Sequence, residues 1–357
     1  MASVIAYSTD SAGMHPSHTL PLKLHAIAEA GISQVELGFP DLEAYAEQEF
    51  SDYKKLDDRG QGDIDKLVEA AGKIKALCEK LELNILVMHP FSQFEGYEDV
   101  DKRAKGFERA AAWFKVLKAL NCQMIQVGSS DDPETSGDHE IIARDLRQLA
   151  DEAAAQDPLI RIAYEMWAWG VHVNTWQHTW QICKLVERPN FGLCLDTFQI
   201  CARAYADPTS LTGLLPSAQE SLNASLSALS TTIPSSKIFY LQISDGTRTD
   251  ASALRAAAEK QGIPPLYAYS NEWRPLPFMS EIEPGQKWDE YLPVVEVCEA
   301  VLKTGWRGPW SFEVFHKEDM AQDDPEVPKR WTCGAVKSYE KIMEKLKERG
   351  FVNRVYV

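Results

Sequence analysis

The chain has 357 residues, 45% hydrophobic and 25% charged, enough apolar material for one large core in an ordinary soluble protein. A formal net charge of −16 argues against a nucleic-acid partner, because there is no basic surplus to contact phosphates. Seven cysteines without a C-x-x-C pair read as reduced thiols, and MASVIAYSTD opens with neither a basic flank nor a long apolar stretch, so a cytoplasmic protein with no membrane partner is expected.

Along the chain, short apolar runs of strand type alternate with amphipathic helical stretches. VIAYS (4–8) precedes a helix that Gly31 would cap, and QVELGF (34–39) and NILVMH (84–89) follow. Residues 102–120 place Phe107, Ala110, Ala111, Phe114 and Leu117 on one helical face. QMIQVG (123–128), a helix over 138–155, IRIAYE (160–165) and FGLCLD (191–196) continue the alternation. Residues 203–235 read as an extended helical connection to KIFYLQI (237–243). A segment rich in Pro, Trp and Tyr, 247–289, is expected as a long loop or pocket wall before PWSFEVF (309–315) and a last helix over 335–349. Eight runs, several almost wholly apolar, predict a parallel sheet covered on both faces. The expected fold is an α/β (β/α)8 TIM barrel forming a single domain over residues 1–357, with an open doubly wound sheet as the alternative. No G-x-G-x-x-G follows the first run, which counts against a dinucleotide site there.

Functional groups of a barrel gather at the C-terminal ends of its strands. The fifth to eighth runs carry Glu165, Asp196, Gln242 and Glu313 at or near their C-terminal ends. One such carboxylate is as readily a helix N-cap or a surface group. Four oxygen donors on consecutive strands point instead to a shared divalent cation, because side by side they would otherwise repel each other at a prohibitive cost. Hard oxygen donors favour Mg²⁺ or Mn²⁺, with Co²⁺ a further option.

The segments YEMWAWGVHVNTW (164–176), RPNFGLCLDTFQI (188–200), YADPT (205–209), KIFYLQISDG (237–246) and WSFEVF (310–315) resemble the 3-dehydroshikimate dehydratases of the xylose isomerase-like barrel superfamily. The resemblance spans nearly the whole chain. It implies a metal held by Glu165, Asp196, Gln242 and Glu313, and a lyase that removes water from a small cyclic hydroxy-ketone. It also implies association of copies into a homo-oligomer. A metal-dependent sugar or polyol isomerase or epimerase, with Glu165 and Glu313 exchanging the proton, is the competing enzyme. A catalytically dead barrel kept as a binding protein is a third reading, which the intact quartet disfavours.

The departures from the family fall where substrate is handled. The family's D-x-x-H histidine is Gln199 here, and its arginines after the third strand, after AWG and within the loop have no counterpart at Ser92 or Gln93, Val171 and 276–281. Arg248, Arg274 and His172 are then the candidates for a substrate carboxylate. His89 and His316 are candidate proton-transfer groups, each equally readable as a ligand-orienting residue. Phe91, Trp167, Trp169 and Trp273 are expected on the rim as stacking surfaces, and Glu36 as a hydrogen-bonding partner of substrate.

Overall fold

The computed structural model describes residues 4–285 and 288–351, so the ends of the expected 1–357 domain and residues 286–287 of its long insertion lie outside the described residues. Eight parallel strands close into a barrel: β1 (Ile5–Ser8), β2 (Gln34–Gly38), β3 (Asn84–Phe91), β4 (Met124–Gly128), β5 (Arg161–Glu165), β6 (Phe191–Asp196), β7 (Ile238–Ile243) and β9 (Trp310–Phe312), with β9 pairing back onto β1. The two remaining strands, β8 (Trp273–Arg274) and β10 (Phe315–His316), pair antiparallel at the barrel mouth. Val87, Ala163, Cys194 and Tyr240 belong to a small buried cluster separate from the main core, which the strands form with the surrounding helices.

Local chemistry fixes the helix ends. Asp99 caps Val100–Leu120 by accepting the Lys102 N–H, and Asn121 closes that helix in the left-handed region. Gly31, at φ +79°, follows the helix Leu20–Glu29 as expected. After the helix Thr197–Ala204 ends, the connection up to residue 234 is helical only over Ala218–Thr232, following a compact turn closed by an Ala206–Leu214 bridge.

The 247–289 segment is a folded insertion rather than an open loop. Asp250 caps a helix Ala251–Gln261, a second helix Pro265–Glu272 follows, and the chain then enters β8. Asp245 anchors its root, its Oδ1 accepting the N–H groups of Gly246 at 2.7 Å, Tyr291 at 3.1 Å and Leu292 at 2.7 Å. The eighth apolar run is accordingly shorter than 309–315. Its barrel ladder stops at Phe312, because Phe315 and His316 turn to pair with the insertion. Among the described residues, no helix is long and apolar enough to cross a membrane.

Candidate metal centre

Alternation along each strand sends every second side chain into the barrel. Ser8, Glu36, His89, Gln126, Glu165, Cys194, Asp196 and Gln242 share this inward face, and Glu313 joins them one residue past β9. Glu165, Asp196 and Glu313 come together there, all buried, with one carboxylate oxygen of each within 4.8 Å of the others. Burial and repulsion from Glu313 and Asp196 hold the Glu165 carboxyl well above the usual carboxylate range. Burial also pushes Asp196 up to about 6, against the pull of the Arg274 guanidinium.

The surrounding donors leave a place for a cation. Trp167 donates its indole N–H to Glu165 Oε2 at 2.9 Å, and the Gln126 amide donates to the same oxygen. Glu165 Oε1 is buried and has no hydrogen-bond partner. An orphan carboxylate oxygen in a dry site is costly unless a cation meets it. Asp196 uses Oδ1 to cap its own helix, accepting the N–H groups of Phe198 and Gln199 at 2.6 and 3.2 Å, while Oδ2 takes Arg274 Nη2 at 2.7 Å. The bland N-cap role and the ligand role therefore coexist in one side chain. Arg274 Nη2 also lies 3.0 Å from Glu313 Oε2. When ionised, three carboxylates against one guanidinium carry two uncompensated negative charges, which a divalent cation would balance. The donor set fits that cation.

Gln242 lies beside Asp196 in register, its amide held between neighbours: Nε2 donates to Glu36 at 3.0 Å and Oε1 accepts from Cys194 Sγ at 3.2 Å. Glu36 thus serves the barrel interior, and burial pushes its carboxyl up to about 7. His89 bridges Ser8 Oγ at 3.1 Å and Glu313 Oε1 at 3.6 Å, which brings one proposed proton carrier into contact with the triad.

Other expected site residues are committed elsewhere. Arg274 is buried, donating to Ser244 and Ser270 at 3.0 and 3.2 Å as well as to the carboxylates, so it orders ligands rather than presenting a free fork to substrate. Arg248 is held by the Thr212 carbonyl and the Tyr291 ring, and His172 donates to the Thr135 carbonyl at 2.8 Å. His316 is packed between Trp288 and Trp331 and lines a separate cavity with Glu318, Asp319 and Arg330, because β10 carries it toward the helix Val327–Glu348. Phe91 packs on Phe94 and Trp113 in the helix layer, since the β3–β4 register shifts between Met88 and Phe91. Gln199 accepts the Ala168 N–H at 2.8 Å and so shapes the strand-five exit. Trp167 orients Glu165, whereas Trp169 stacks at 4.5 Å on Tyr267 of the insertion. Trp273, half-buried, packs near Tyr269 and pairs with His316 across β8 and β10. Sequence reasoning missed Gln126, although an amide inside the apolar run QMIQVG, on the inward parity, was a usable signal.

Residues 24–331 match the model of the xylose isomerase-like TIM barrel family. A 3-dehydroshikimate dehydratase of Neurospora crassa is 31% identical over 97% of this chain and 95% of its own length. A 3-dehydroshikimate dehydratase of Pseudomonas putida is 28% identical over 84% of this chain, which spans 36% of that longer protein. Among solved structures, a xylose isomerase-like TIM barrel/4-hydroxyphenylpyruvate dioxygenase fusion protein superposes with a TM-score of 0.71 at 24% identity, covering 99% of this chain and 46% of that one. The chain belongs to the xylose isomerase-like TIM barrel family, in the branch whose relatives are named 3-dehydroshikimate dehydratase.

Proposed function

We propose that this chain is a divalent-metal-dependent carbon–oxygen lyase of the 3-dehydroshikimate dehydratase type, acting on a small cyclic hydroxy-ketone. The observation that carries the reading is the buried triad Glu165, Asp196 and Glu313, whose ionised form is two charges short of neutrality at the C-terminal mouth of the barrel. The all-oxygen donor set favours Mg²⁺ or Mn²⁺ over a softer ion. Glu165, Asp196 and Glu313 would hold it, with the Gln242 amide beside them. When bound, the cation supplies Lewis-acid polarisation of the substrate carbonyl and stabilises the charge that develops as the neighbouring C–H is broken.

The protein's own groups supply the rest. Trp167 and Gln126 fix Glu165 through Oε2, and Arg274 fixes Asp196 and Glu313. His89, held by Ser8 and Glu313, is the imidazole at the mouth placed to take the carbon-bound proton. Tyr267, stacked on Trp169, brings the insertion over the strand-five exit and shields that side from water.

The engaged state of Arg274 favours one alternative, an isomerase or epimerase of a neutral sugar, because its guanidinium is taken by Asp196 and Glu313 and is not free for a substrate carboxylate. Incubating Mn²⁺- or Mg²⁺-loaded protein with 3-dehydroshikimate separates the two. The lyase generates catechol absorbance. Absence of product, together with interconversion of ketohexoses, would establish the alternative.

A further inference from the structure

The family's histidine shuttle is replaced by Gln199, which is bonded to the Ala168 N–H. An elimination needs an acid as well as a base, since hydroxide is a poor leaving group. The triad carboxylates surround the cation position, Glu36 is bonded to Gln242, and His89 faces Glu313. Asp10 brings a further carboxyl to the end of β1.

Asp10 follows β1 in the short turn Thr9–Ser11, two residues after the inward-facing Ser8. Its carboxyl lies over Gly38, where a Cβ would fall 1.9 Å from Asp10 Oδ1. Gly38 ends β2 on the inward face set by Glu36 and is in register with His89. Only a residue without a side chain leaves that place at the mouth to Asp10. Behind Asp10 stands Asp41, whose Oδ1 takes Lys23 Nζ at 2.7 Å and whose buried Oδ2 has no donor of its own. The two carboxyl groups lie close enough to repel one another, and a proton on Asp10 relieves both the repulsion and the orphaned oxygen. Burial first, then the charge of Asp41, raise the Asp10 carboxyl well above its ordinary range, with Lys23 opposing and Glu313 adding to the effect.

We propose that Asp10 is the general acid of the elimination, passing its proton to the departing hydroxyl group, with Asp41 holding that proton in place. The assignment rests on the dehydratase reading. His89 removes the proton on the carbon next to the ketone, the electron pair forms the new carbon–carbon double bond, and the carbon–oxygen bond breaks. The oxygen leaves as water with the Asp10 proton. His89 then returns its proton to solvent, and Asp10 regains one from solvent through the pair with Asp41.

The test uses Mn²⁺-loaded wild type, Asp10→Asn and Asp41→Asn, with 3-dehydroshikimate and its analogue bearing fluorine at the leaving position. Fluoride departs without a proton. Asp10→Asn should lower kcat on the hydroxy substrate by about 10²–10⁴-fold. It should still exchange the carbon-bound proton with D₂O by NMR and should turn over the fluoro analogue at the wild-type rate. Asp41→Asn should show the same selective loss in smaller measure, even if Asp10→Asn folds poorly. Equal loss on both substrates, or an unchanged kcat on the hydroxy substrate, overturns the assignment. Wild type that neither eliminates nor exchanges overturns the dehydratase reading and the assignment with it, which distinguishes the two failures.

Discussion

Arg274→Met tests whether the guanidinium is the built-in countercharge of the triad. Methionine keeps much of the volume but removes the contacts to Asp196 Oδ2 at 2.7 Å and Glu313 Oε2 at 3.0 Å, and both carboxylates stay buried. Removing one partner of a buried pair costs about 3–5 kcal/mol. At about 2 °C per kcal/mol for a domain of this size, the metal-free variant should melt roughly 6–10 °C below wild type. A saturating divalent cation would restore positive charge beside the same carboxylates, so the gap should narrow when both proteins are loaded. Binding at one hundred times Kd stabilises by about 2.7 kcal/mol, enough to register as several degrees in a calorimetric scan. Scanning calorimetry with EDTA and with excess Mn²⁺ gives the four melting temperatures. A gap that is absent without metal, or that widens with it, refutes charge compensation and makes Arg274 a strut for the insertion alone.

Gln126→Leu should weaken Mn²⁺ binding by about 10–100-fold, since Glu165 Oε2 loses a donor that orients Oε1, and unchanged affinity by titration calorimetry would remove Gln126 from the site. Gly128→Ala places a methyl 2.2 Å from the Trp167 ring, so it should cost about 1–3 kcal/mol, shift tryptophan fluorescence and lower metal affinity. The metal-free protein should lose stability as pH rises from 5 to 8. Its folded state holds protons on Asp196, Glu36 and Asp245, with values near 6, 7 and 7 against ordinary values near 4, so their contribution is complete below pH 4 and disappears as each folded value is passed. Because a bound cation requires the ionised Asp196, adding Mg²⁺ should flatten or reverse that slope. A metal-free melting temperature that climbs across this range would contradict the raised values.

The strands were legible because burial on both faces writes near-continuous apolar runs, and the period of two then assigns the inward side chains without knowledge of partners. That rule locates Glu165, Asp196 and Gln242, and it works for Gln126 had it been applied inside QMIQVG rather than only at the run's end. It fails at Phe91, where the β3–β4 register shift reverses the parity that a straight strand would have given. Arg274 was illegible for another reason. Its nearest carboxylate partner lies 78 residues earlier, and the two meet only because β8 pairs with β10 directly after Glu313. A sequence shows that an arginine lies in a long insertion, but not whether the insertion folds outward to solvent or inward onto the ligands. The consequence is chemical. An outward arginine would have selected for a substrate carboxylate, whereas the inward one adjusts the charge of the centre. Specificity for an anionic substrate must then come from other donors, or the substrate is neutral, and the rates on 3-dehydroshikimate and on its methyl ester decide between them. A preference for the acid supports recognition of the carboxylate, and equal rates point to a neutral substrate.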